Sequence, residues 1–96
     1  MSEVLVLEFA GVTQDHYLAV NKILNVDQGT GEGDWPAGLH SHLGATSDSG
    51  LLVVEIWESQ AAQTAFMDRL GPALGEAGMP QPTRMEWLSL AGQFHD

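Results

Sequence analysis

His40 and His42 stand two residues apart in Leu39-His-Ser-His-Leu43, and Glu55 lies between Val53 and Trp57 further along the chain. In extended backbone, residues i and i+2 point to one side about 6–7 Å apart, so both imidazoles face the same way. Imidazole carries protons near neutral pH, and a carboxylate among apolar neighbours is costly to bury unless it is paired or wet. A His42–Glu55 pair on adjacent strands is therefore a candidate acid/base set, competing with a structural reading as an interface ion pair. His40, nearer the start of its strand, is placed at the edge of the same site. A metal held by His40, His42 and Glu55 is a weaker alternative, because such sites need three or four ligands and Glu86 would complete this one only if its face turned inward. We assign no metal and no cofactor. Trp57 and Tyr17 are aromatic walls for an apolar ligand or parts of the packing, and Trp35, before Pro36 in a Gly-rich loop, is placed as a lid. No Gly-x-Ser-x-Gly elbow and no Cys is present, which disfavours acyl transfer through a nucleophile. His16, in the first turn of a helix, is expected to be solvated, and His95 in the tail carries no signal.

The elements that must hold these groups follow from pattern and punctuation. Glu3–Phe9 is rich in β-formers with apolar residues on both faces, which predicts a central strand ended by Gly11. Thr13 is a suitable N-cap, Asp15 suits the first turn, and Tyr17, Val20 and Leu24 make a helical stripe widened by Leu18 and Ile23, with Asn21 beside it. Asp27–Asp34 is an acidic loop whose Gly-x-Gly-x-Gly follows a helix and precedes a strand without a Lys, the wrong setting for a phosphate loop. Ala37–Thr46 and Leu51–Glu58 read as two strands joined by a Ser47–Gly50 hairpin loop. Ser59 then caps a helix with Ala62, Ala65, Phe66, Leu70, Ala73 and Leu74 as its stripe. Gly71-Pro72 predicts a kink or break there, Gly78 its C-cap, and Thr83–Leu90 a last strand.

The order β-α-β-β-α-β with right-handed crossovers gives an α+β, ferredoxin-like domain over residues 1–96: a four-stranded antiparallel sheet with two helices on one face. Ninety-six residues without Cys bury a modest core, so association is the expected source of further stability. We expect the sheet face bearing Leu51, Val53 and Trp57, with Trp87 or Met85, to be the one left bare by the helices and covered by a second copy. Thirteen acids against three bases give a net charge of −10, which repels nucleic acid and anionic membrane surfaces. The longest apolar run is too short to cross a bilayer, and the start lacks a basic signal-peptide region. A cytoplasmic homodimer is the expectation.

Pro36-Ala-Gly-Leu-His-Ser-His42, Val53-Val-Glu-Ile-Trp-Glu-Ser59 and Leu70-Gly-Pro-Ala-Leu74 with Ala77-Gly78 carry a resemblance. The chain resembles the dimeric α/β-barrel superfamily of antibiotic-biosynthesis monooxygenases and their small uncharacterised relatives. The resemblance implies a homodimer with a ligand cavity in each subunit. The activities it implies are cofactor-free oxygenation of phenolic or quinol-type aromatics, haem degradation, or lactone isomerisation. Many members carry a His one turn into the second helix, where this chain has Phe66, and haem degraders carry an Asn on the first strand, where Val4–Phe9 has none. The leading expectation is a small-molecule-binding homodimer acting on an apolar aromatic ligand by cofactor-independent oxygenase or isomerase chemistry. His42 and Glu55 are its catalytic candidates, with Trp57, His40, Trp35 and Tyr17 around the ligand. The alternative is a non-enzymatic dimeric interaction or stress-response module with a filled cavity.

Overall fold

Eight β-forming residues, Glu3–Ala10, make strand β1, and Gly11 leaves it at a positive φ of 71°. The computed structural model describes residues 2–93, so His95 lies outside the described residues. Helix α1 (Gln14–Leu24) starts at Thr13, whose backbone N–H donates to His16 Nδ1 at 3.2 Å, and ends at Asn25 in the left-handed region. Strands β2 (Leu39–Ser47) and β3 (Gly50–Trp57) form the hairpin, followed by α2 (Gln60–Glu76) and β4 (Arg84–Ser89). All pairings are antiparallel and the sheet order is β2-β3-β1-β4, the ferredoxin-like arrangement.

The two central strands carry most of the burial, and Leu5 and Trp57 are fully enclosed. Val20 and Leu24 of α1 pack against Ala73 of α2, with Phe66, Leu70 and Leu74 around them. Arg69 reaches from α2 to donate to the Leu24 carbonyl at 3.0 Å, satisfying one of the acceptors a helix end leaves open. Ser59 Oγ accepts from Ala62 N–H, as its position predicts. Helix α2 closes with Met79 N–H on the Leu74 carbonyl and Gly78 N–H on the Gly75 carbonyl, a Schellman ending with Gly78 at φ 74°.

Four expectations need correction. The face of β3 holding Leu51, Val53, Glu55 and Trp57 is the buried one, turned to the helices; Leu52, Val54 and Ile56 lie on the open face. On the enclosed face Glu55 finds His42 Nδ1 and Trp57 Nε1, so its burial is compensated by hydrogen bonds. Of the kink or break expected at Gly71-Pro72 the break does not occur: helix α2 runs as one element through Pro72, with Ala73 and Leu74 after it packed on α1 as Leu70 before it is. In α1, Leu18 and Ile23 are outside the buried stripe. Ser47 pairs with Gly50, so the hairpin loop is only Asp48–Ser49.

Candidate functional site

Four side chains on three elements join into one hydrogen-bonded line. Trp57 Nε1–H donates to Glu55 Oε1 at 3.0 Å, the other Glu55 oxygen meets His42 Nδ1 at 2.7 Å, and His42 Nε2 meets the Tyr17 hydroxyl at 2.5 Å. Each contact has a cause in the fold. His42 and Glu55 are direct partners across β2 and β3 and therefore share a face. Tyr17 comes from the first turns of α1 and reaches the sheet because Gly44 leaves room: a Cβ there would lie 2.6 Å from Tyr17 Cζ. The Tyr17 and His42 rings are near parallel with centroids 5.9 Å apart.

An ionised carboxylate only accepts hydrogen bonds. Glu55 thus takes one from Trp57 and one from His42 Nδ1–H, which leaves Nε2 as the acceptor for the Tyr17 O–H. In this tautomer the imidazole is oriented by a carboxylate on one side and holds a base lone pair on the other, the arrangement that general-base chemistry needs. Burial raises the Tyr17 pKa above its ordinary value, the nearby Asn21 amide opposes this, and the Glu55 charge adds to it.

The line ends at a cavity of about 380 Å³ between sheet and helices. Its walls are apolar, among them Phe9, Val53, Phe66, Leu70 and Met79, while Tyr17, Asn21, His42, Glu55 and Gln63 gather polar groups into it. Trp35 also lines it, its ring tilted 53° to that of His42 at 5.9 Å, with its Nε1–H held by the Glu32 carbonyl at 3.1 Å. A wider depression of about 520 Å³ opens beyond Asn21 toward the acidic loop and contains none of the four linked residues.

Two of the six sequence-chosen residues stand elsewhere. Trp57 is buried beneath the site, outside the cavity lining, and acts on it only through Glu55. His40 is the extra residue of a β-bulge between Leu39 and Ser41, which turns Leu39 and His42 to the same side and sends His40 to the surface. The two histidines therefore diverge, and Glu86, paired with Val6, lies on the open face. Among the described residues no three His, Asp or Glu side chains converge, so the two-histidine metal alternative loses its geometry. Asn21 and Gln63, both buried polar residues of the cavity, were missed. For Asn21 the signal was its place one turn after Tyr17, inside the apolar stripe of α1.

The chain is similar in structure to an antibiotic biosynthesis monooxygenase-like protein from Chloroflexus aurantiacus J-10-fl: TM-score 0.67, 13% identity, 99% of this chain and 98% of that one covered. It has the same ferredoxin-like fold. The shared fold spans both helices and all four strands, including those that carry Tyr17, His42 and Glu55. No protein-family model matches the chain, and no curated protein matches it in sequence. Among the described residues no helix is long and apolar enough to cross a membrane.

Proposed function

We propose that the chain is a cytoplasmic, small-molecule-binding homodimer that holds an apolar aromatic ligand in the sheet–helix cavity and acts on it by cofactor-independent oxygenase or isomerase chemistry. The observation that carries this reading is the Trp57–Glu55–His42–Tyr17 line ending at an apolar-walled cavity. His42 is the base, Glu55 orients it and stabilises its protonated form, and Tyr17 connects it to the ligand. Proton removal is the step that oxygenation and isomerisation share. The likeness to the Chloroflexus protein supports the reading at the level of fold. Trp35 covers the ligand from the loop side. An open interior favours this reading over the filled-cavity module. The partner copy covers the open sheet face, where Leu43, Leu52 and Leu88 are 57%, 38% and 42% exposed.

Native mass spectrometry of the protein purified from its source cells tests the reading. The expected result is a dimer with an aromatic small molecule retained in each subunit, and loss of that molecule in His42→Ala with the dimer intact. If His42→Ala mainly lowers the melting temperature and leaves the bound molecule in place, His42 is structural and the reading fails.

A further inference from the structure

A cavity of about 150 Å³ is enough to take up benzene, and the one between sheet and helices holds about 380 Å³. A single ring beside His42 therefore leaves more than half of it unfilled. The wall is thinnest toward β4, because α2 packs on α1 and β3 but scarcely on β4. Met67 of α2 and Met85 of β4 line the cavity there yet are 38% and 55% exposed, which places them on its rim. Met79, in the connection after α2, lines it too, so every methionine except Met1 borders this cavity. From Met67 the row of α2 at four-residue spacing continues as Gly71 and Gly75, both also in the lining. A Cβ at either glycine would meet no atom within 4 Å. Gly71 has a local reason to lack one, since the Pro72 ring disfavours helical backbone in a preceding residue that carries it. Gly75 has none. A glycine inside a helix weakens it relative to alanine, and neither space nor a positive φ requires glycine at that position.

We propose that the row Met67, Gly71 and Gly75 of α2, facing Met85 of β4, bounds a second subsite: a trough that takes a flexible apolar chain attached to the ligand's ring and leads it out between α2 and β4. This rests on the cavity reading above and deepens it. The ring lies against His42 and Tyr17, and the chain is the added feature that the trough selects. Each side of the trough suits an alkyl or alkenyl chain. The two glycines leave a strip of helix without side chains for the chain to lie along. Leu7, directly opposite Met85 across β1 and β4, is its floor. The thioethers at its mouth are unbranched and adaptable, and can close round chains of differing length. Among the described residues no Lys or Arg lines the cavity, so an anionic end of such a chain finds no counter-charge inside and has to reach water. On the loop side Trp35, held by the Glu32 carbonyl, stands beside His42, which leaves the α2–β4 gap as the way out.

The test uses phenyl alkyl ketones from acetophenone to octanophenone, one methylene apart, with binding followed by tryptophan fluorescence. In the wild-type protein affinity rises about two- to fourfold per methylene, the upper figure being that of a fully buried CH₂, and levels off once the chain reaches water. Gly75→Leu fills the trough. It binds acetophenone as the wild type does and loses most of the gain with chain length. Its melting temperature stays level or rises, since leucine is the better helix former. Gly75→Ala also keeps or raises the melting temperature and shortens the gain without abolishing it. The same rise with chain length in the wild type and in Gly75→Leu puts the chain elsewhere and overturns the proposal. No rise in the wild type, with acetophenone still bound, overturns it too and leaves the cavity reading standing. Equal loss of acetophenone and octanophenone in Gly75→Leu means that Gly75 serves the whole cavity rather than a chain, and the trough is lost. If the wild-type protein takes up no ketone at all, the cavity reading fails and the trough goes with it.

Discussion

The two faces of β3 differ in what they bury. Toward the helices stand Leu51, Val53, Glu55 and Trp57, each buried; toward the open side stand Leu52, Val54 and Ile56, each at least partly exposed. The more polar face is the enclosed one. A rule that sends apolar residues inward and charges outward gives the opposite assignment, and the hydrogen bonds explain why it fails. Glu55 is satisfied on both oxygens by Trp57 and His42, so its burial meets the condition under which polar groups are tolerated inside. Trp57, the largest fully enclosed side chain, brings apolar area and an N–H that needs an acceptor. Each makes the other's burial acceptable. The open side of β3 is apolar without any such need, the charged Glu8, Arg84 and Glu86 standing further across the same face on β1 and β4, and water or a second copy can cover it.

That contrast is broken hardest at Trp57. Replacing it by Ala removes a wholly enclosed side chain and frees a Glu55 oxygen, with an expected loss of about 3–5 kcal/mol, a large share of a small domain's stability. Urea unfolding is the measurement, and Ile56→Ala is the control from the neighbouring, open-face position, at well under half that loss in the monomer. Comparable losses at the two positions would mean that the faces have been assigned the wrong way round.

Much of the fold was legible in the sequence, and the misses share one cause. Element order, the strand positions, the Thr13 and Ser59 caps and the glycine ending of α2 are local features: spacing, propensity and cap chemistry specify them within a few residues. Which face of a strand is covered is not local. Alternation separates Leu52, Val54 and Ile56 from Glu55 and Trp57 but is silent on which set meets the helices, because the answer depends on His42 arriving from another strand. The bulge at His40 is likewise a property of pairing between two strands, so spacing alone made His40 and His42 look like neighbours on one face. At Pro72 a local rule predicted a kink or a break, and the break is absent where Ala73 and Leu74 pack on α1. Within the site, the choice of His42 and Glu55 as a pair came from chemistry that the sequence does display, a carboxylate in an apolar strand beside a strand with imidazole. Tyr17 was read as a ligand wall or core residue, and its hydrogen bond to His42 depends on Gly44, which no motif advertises.

The open face is where the comparison can be sharpened without unfolding the protein. Leu43 of β2 is 57% exposed and stands opposite Val54. Leu43→Asp places a charge on the apolar patch that edge strand β2 shares with β3, which a monomer tolerates at a cost of about 0.5 kcal/mol or less and a sheet-to-sheet dimer does not. Sedimentation should show a dimer for the wild type and a monomer with unchanged circular dichroism for the variant. A variant that stays dimeric would place the contact elsewhere on the surface.

The gentlest probe is the only tyrosine in the chain, because its ionisation can be followed without a label. Burial, reinforced by the charge of Glu55, holds the Tyr17 pKa above the ordinary 10.0. The sign of the stability effect follows by linkage. As pH rises past 10, the unfolded chain releases the phenol proton before the folded one does, so the folded state binds more protons and loses stability with rising pH. The contribution from Tyr17 is complete below about pH 10 and disappears as pH climbs through the folded-state value. A spectrophotometric titration should therefore find the phenolate band appearing above pH 10 in the native protein and near 10 in urea, while Tyr17→Phe flattens the alkaline decline of the unfolding midpoint. Glu55→Gln removes the charge but keeps the burial, and should bring the native midpoint only part of the way down. A native midpoint at or below 10 would mean that Tyr17 is not enclosed against His42, and the line from Trp57 to the cavity would then end one residue short.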